Sequence, residues 1–131
     1  MADFTALALK DIEATFGGGV RKVRAALGVR SMGIQVMEFP PNFDRYPEHD
    51  HNHDGQEEVY VTLRGSGTLD VEGEQTTLEP DTMVRVGNGA KRKVLSGPDG
   101  LRLMVLGGRP GEAYSAPEWS ELGAPDPIAS S

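Results

Sequence analysis

Between Ser31 and Gly107 short runs of alternating apolar and polar residues are separated by glycine-bearing turns, a punctuation that accommodates strands and excludes long helices. In the first run Met32, Ile34 and Val36 alternate with Gly33, Gln35 and Met37, until Pro40-Pro41 stops it by bringing no N–H to a ladder. Further strands are expected at Glu57–Leu63, Thr68–Glu72, Gln75–Leu78, Met83–Val86, Arg92–Leu95 and Leu101–Leu106. The turns between them are Gly65-Ser66-Gly67, Glu72-Gly73-Glu74, Asn88-Gly89 and Gly97-Pro98-Asp99-Gly100. Many short strands at this spacing predict an all-β sandwich or barrel, and the lack of intervening helices argues against a parallel α/β sheet.

A chain of 131 residues supports one core. Residues 31–107 are read as the barrel, 1–30 as an N-terminal segment packing on it, and 108–131 as a tail rich in proline and glycine. In the first segment Phe4, Leu9, Ile12 and Phe16 fall near helical spacing, but Gly17-Gly18-Gly19 breaks the pattern and reads as a flexible turn. The tail carries Pro110, Pro117, Pro125, Pro127 and a Ser130-Ser131 end, so it is expected to wrap the surface or fray, with Tyr114 and Trp119 as anchors.

All three histidines lie within five residues, in Glu48-His49-Asp50-His51-Asn52-His53, and Glu57-Glu58 follow across Asp54-Gly55. In an extended segment residues two apart share a face, so His49, His51 and His53 would point together. His49 and His53 would then stand about 13 Å apart at roughly 3.3 Å per residue. Ligands of one ion place their donor atoms about 2.0–2.2 Å from it, so only one adjacent pair can serve a single metal. His51 belongs to both pairs. The Asp54-Gly55 step suits a turn that returns a strand beside the histidines, and alternation lets only one of Glu57 and Glu58 face inward.

Two imidazoles and a carboxylate suit divalent iron, manganese, nickel or zinc with coordination positions left open, whereas a solvated polar loop is the bland reading of the same residues. Zero cysteines remove disulfides and thiolate ligands from consideration. A formal charge of −7 opposes binding to nucleic acid. No apolar run spans a membrane and no basic, then apolar, leader opens the chain, which reads as cytoplasmic with no membrane partner.

The residues His51, His53, Glu58 and Gly65 resemble the first motif of the cupin superfamily, with spacings of four and six residues after His53 and Glu58. Pro40-Pro41-Asn42 resembles the corner that precedes the motif, and counted from there His49 and His51 are the matching pair, so both registers stay open. Leu78-Glu79-Pro80-Asp81 and Val86 to Arg92 resemble the frame of the second motif, with Arg92 where a metal-binding histidine usually stands. Arginine remains protonated and offers no lone pair. Pointing inward, Arg92 could pair with Glu58 or bind an anionic ligand; Tyr60 shares parity with Glu58 and could line the cleft.

The resemblance, covering roughly 31–107, implies a double-stranded β-helix, or jelly-roll barrel, with N- and C-terminal extensions. It implies a small-molecule ligand, a divalent ion held by two of the three histidines and Glu58 (Glu57 as the alternate carboxylate), and a homodimer. A metal-dependent dioxygenase or isomerase acting on a small polar or anionic metabolite is one reading. A metal-free, non-catalytic ligand-binding cupin is the other.

Overall fold

The computed structural model describes residues 2–128. Seven strands are present: β1 (Ala14–Thr15), β2 (Val20–Arg21), β3 (Gly33–Phe39), β4 (Glu57–Val71), β5 (Glu74–Leu78), β6 (Met83–Val86) and β7 (Arg92–Gly108). They form one antiparallel sheet in the order β1-β2-β3-β7-β4-β5, with β6 added to β4. The expected all-β barrel is therefore the observed class. A five-residue helix α1 (Val23–Leu27) and two 3-10 turns, at Leu9–Asp11 and Glu118–Ser120, are the helical elements among the described residues.

Two strands are longer than the sequence suggests. Glu57–Leu63 and Thr68–Glu72 join into β4 across Gly65-Ser66-Gly67, and Arg92–Leu95 joins Leu101–Leu106 into β7. The glycines mark irregular pairing within a continuous ribbon instead of chain reversals. Gly65 faces Leu101 and Gly67 faces Ser96, so Gly97–Gly100 form an excursion opposite the single residue Ser66. Here glycine is required: Gly65 has φ +83°, and a Cβ on it would lie 2.1 Å from the Gly100 carbonyl oxygen. On one side of this bend β4 lies between β7 and β6, and on the other between β7 and β5, so the shared strands pass from one layer to the other. By contrast, Glu72-Gly73 is a true reversal, with φ of 51° and 90° matching a tight hairpin turn.

The layers close on Met37, Phe39, Tyr60, Leu69, Leu78, Val94, Leu103 and Val105, all buried in one cluster. The outer face of β3 is covered as well, by Ile12 and Val23 of the N-terminal segment against Val36. The helical spacing of Phe4 to Phe16 yields only the short 3-10 turn; Gly17-Gly18-Gly19 is the turn of the β1–β2 hairpin.

The tail wraps. Its Glu121 carbonyl accepts from Lys22 Nζ at 2.8 Å, and its carboxylate accepts from Arg24 at 2.7 Å. Gly17 N–H donates to Asp126 at 2.8 Å, and Gly123 N–H donates to Glu13 at 2.9 Å. Trp119 packs edge-on against Phe16, and Tyr114 lies against Gly33, where a Cβ would meet its hydroxyl at 2.8 Å. The Ser130-Ser131 end lies outside the described residues. No helix among the described residues is long and apolar enough to cross a membrane.

Candidate metal centre and ligand cleft

The histidine segment is extended only at its start. His49 bridges Arg92 of β7 through reciprocal backbone hydrogen bonds of 3.0 and 2.8 Å, which fixes the first histidine against the barrel wall. After His51 the chain turns sharply: the Asp54 and Gly55 N–H groups both donate to the His51 carbonyl oxygen, at 3.2 and 2.7 Å. This turn breaks the alternation expected through His53, whose side chain is 74 % exposed.

His49, His51 and Glu58 bring one donor atom each within 4.8 Å of one another, and a second such set, His51, His53 and Asp54, lies toward solvent. Glu58 is the inward carboxylate. Glu57, on the opposite face of β4, pairs with Arg85 at 2.8 Å. Parity thus separates the two glutamates as alternation requires.

The tautomers of the two buried-side histidines are set from behind. His49 Nδ1 lies 3.1 Å from the Pro47 carbonyl oxygen, and His51 Nδ1 lies 3.1 Å from Asp54 Oδ1. A proton placed on each Nδ1 leaves Nε2 with its lone pair free. Asp54 is fixed in turn by the Gln56 side chain, which donates to it at 3.1 Å. Gln56 is seated over Gly107, where a Cβ would approach its amide oxygen to 2.6 Å. The Asp54-Gly55 step marks Asp54 in the sequence only as a turn former; its place three residues after His51, inside that turn, is the signal of its second role.

Glu58 Oε1 is the hub. It accepts from the Tyr60 hydroxyl at 2.8 Å and from Arg92 Nη1 at 2.8 Å, while His51 Nε2 stands 3.2 Å away. No hydrogen bond forms across that last approach, so His51 Nε2 is buried without a hydrogen-bond partner, the Glu58 carboxylate being its near polar neighbour. Burial works to raise the Glu58 pKa, yet His51, Tyr60 and Arg92 outweigh it and hold the carboxyl below its usual range. The Glu58 interaction raises His51, against partial desolvation. Tyr46, also facing this charge, is pushed up to about 12, first by burial and then by Glu58.

Arg92 points inward and is fully buried. Each guanidinium nitrogen is engaged: Nη1 with Glu58, Nη2 with the Gly87 carbonyl oxygen at 2.7 Å, and Nε with the Ala90 carbonyl oxygen at 3.0 Å. Tyr60 is likewise buried and committed to Glu58. Both residues make their hydrogen bonds within the protein, and the Arg92–Glu58 pair is one of the two roles expected for an inward Arg92.

Two imidazoles with freed Nε2 atoms, one unpartnered, and an ionised carboxylate fit a divalent ion of the borderline type. The set differs from an ordinary two-histidine, one-carboxylate site in charge, because Arg92 cancels that of Glu58. Two cavities meet here. One, of about 210 Å³, is lined by His51, Glu58, Gln56 and Tyr114; the other, of about 1030 Å³, is reached by His49, and Gln35 and Trp119 border both.

Residues 35–106 match the family model described as cupin domain. No curated protein matches the sequence. Among solved structures, a cupin protein from Bacteroides fragilis is 16% identical, with 89% of this chain and 93% of that one covered at a TM-score of 0.69. A sugar phosphate isomerase from a cupin superfamily, from Silicibacter pomeroyi, is 16% identical over 87% of this chain and 83% of that one, TM-score 0.67. KdgF from a Halomonas species is 16% identical over 62% and 72%, TM-score 0.53. At these identities the likeness carries the fold.

Proposed function

The chain belongs to the cupin domain family, and from that premise we propose that it binds a small molecule beside a divalent metal ion held by His49, His51 and Glu58. The observation that carries this reading is the buried, unpartnered Nε2 of His51, whose other ring nitrogen is anchored by Asp54. A buried nitrogen left without a partner costs stability, and a metal would satisfy it. When bound, the ion supplies Lewis-acid polarisation of an oxygen on the ligand. Tyr60 and Arg92 position Glu58, and Asp54 sets the His51 tautomer. His53, exposed beside Asp54, belongs to the rim and is an alternative donor for a weaker outer site.

The Arg92–Glu58 contact favours a second reading, a metal-free ligand-binding cupin in which the guanidinium takes the place of the ion. Calorimetric titration of protein purified without a polyhistidine tag, using manganese, nickel and zinc, decides between them. One-to-one binding that disappears in His51→Ala supports the metal centre; no heat with any ion overturns it.

We also propose a homodimer, supported by the free edges at β1 and β5, which pairing with a second copy would cover. Sedimentation as a monomer at tens of micromolar would refute it.

A further inference from the structure

Building on the reading of this site as a small-ligand site, we propose that its ligand is an aryl carboxylate: a flat apolar body lying in the larger cleft, with its anionic head at the Arg45 rim. Phe16, Met37, Phe39, Phe43, Tyr46 and Trp119 line that cleft. A volume of about 1030 Å³ with mainly apolar walls and few polar groups is the construction of a pocket for an organic molecule. Ring contacts run without interruption toward the metal-binding residues. Phe43 touches Phe39 at 6.1 Å between centroids, Phe39 touches Tyr46 at 5.5 Å, Tyr46 touches His49 at 5.7 Å, and His49 touches His51 at 5.2 Å. A planar ring entering along this line finds edge and face partners throughout.

The polar groups bordering the cleft are few and mostly committed. Glu38 is paired with Arg102 and lies 3.6 Å from Arg64. Arg45 sits at the rim with its guanidinium carbon 5.4 Å from the Phe43 ring centroid, the one positive side chain bordering this cleft among the described residues. A polyhydroxylated ligand would lose water at several hydroxyls and regain hydrogen bonds at almost none, whereas a single anionic head meets the guanidinium of Arg45. The cleft chemistry thus selects against sugars of the same charge.

The test compares 2-naphthoate with galacturonate, two monocarboxylates of opposite body chemistry, by calorimetry on protein with and without added manganese. Naphthoate binding at least tenfold tighter than galacturonate is expected. In Phe43→Ser, at a half-buried wall position, naphthoate should weaken about tenfold while metal binding stays unchanged; the exposed substitution Arg45→Glu should weaken naphthoate too. Galacturonate binding as tightly as naphthoate, or tighter, overturns this inference and leaves the ligand site standing. Naphthoate selectivity without any metal heat overturns the metal centre alone. Binding of neither acid overturns the aryl ligand; if the protein then also sediments as a dimer that Phe43→Ser dissociates, the cleft belongs to a second copy.

Discussion

Arg92 Nη1 lies 2.8 Å from Glu58 Oε1, inside the barrel, with the arginine side chain wholly removed from solvent. The pair places a permanent positive charge directly on the carboxylate of the proposed metal centre. Removing one partner of a buried pair leaves an uncompensated charge, so Arg92→Leu should destabilise the fold by about 3–5 kcal/mol, read from urea unfolding. Arg92→His removes a positive charge and adds a ligand. At about 4 Å and an effective dielectric near 20 that charge is felt at ~4 kcal/mol. Metal affinity should therefore rise at least tenfold, since ~1.4 kcal/mol suffices for that factor. Unchanged affinity in a folded Arg92→His protein would show that the guanidinium does not limit the site.

The three histidines should separate on substitution. His51→Ala should cost the most metal affinity, because His51 belongs to both donor sets. His49→Ala should follow, and His53→Ala should change little, its ring being largely in solvent. Equal losses in all three variants, measured by competition with a chromogenic chelator, would contradict this order.

Asp54 acts through His51. With its carboxylate gone the imidazole is free to rotate and to change tautomer, so Asp54→Ala should weaken metal binding roughly 10–100-fold. Folding should suffer less, because Asp54 is partly exposed. Wild-type affinity in this variant would remove the positioning role.

The tail should respond to acid. The Lys22 hydrogen bond holds Glu13 below its ordinary value of 4.5, and the Gly17 N–H holds Asp126 below 3.8. Because folded-state pKa values are depressed, the stabilisation is complete above those ordinary values and is lost as pH falls through the lower folded ones. Emission from Trp119, the only tryptophan, should stay constant down to the ordinary carboxylate values and shift as the pH is lowered beyond them. Glu13→Gln combined with Asp126→Asn should show the shifted emission already at neutral pH. An acid transition identical to that of the wild type would place its origin elsewhere.

The strand at 33–39, the Glu72-Gly73 hairpin and the β5 and β6 strands were legible because alternation and turn chemistry are local. The joining of β4 and of β7 was not, since whether Gly65 reverses the chain or bulges depends on the Gly100 carbonyl that approaches it from another strand. Alternation likewise made Glu58 distinguishable from Glu57 in principle, but which of the two faces inward needed the pairing of β4 with β6 and β7. The histidine cluster was visible as a cluster. Its division into His49 and His51 inside and His53 outside depends on the turn at 51–55, where Asp54 is both turn former and imidazole anchor. Arg92 could be placed at the centre by analogy; that its three nitrogens are consumed by Glu58, Gly87 and Ala90 could not.

The strap that Glu121 and Asp126 fasten to Lys22 and Gly17 spans about a hundred residues of sequence. Contacts of such separation carry a large loop-closure cost and form late, after local hairpins have assembled. A barrel therefore assembles before its pocket is complete, because the wall contributed by Trp119 docks only once the strap has closed. A chain truncated after residue 112 should keep its strands, with the circular-dichroism signature of the sheet, while losing the Trp119 wall of both cavities.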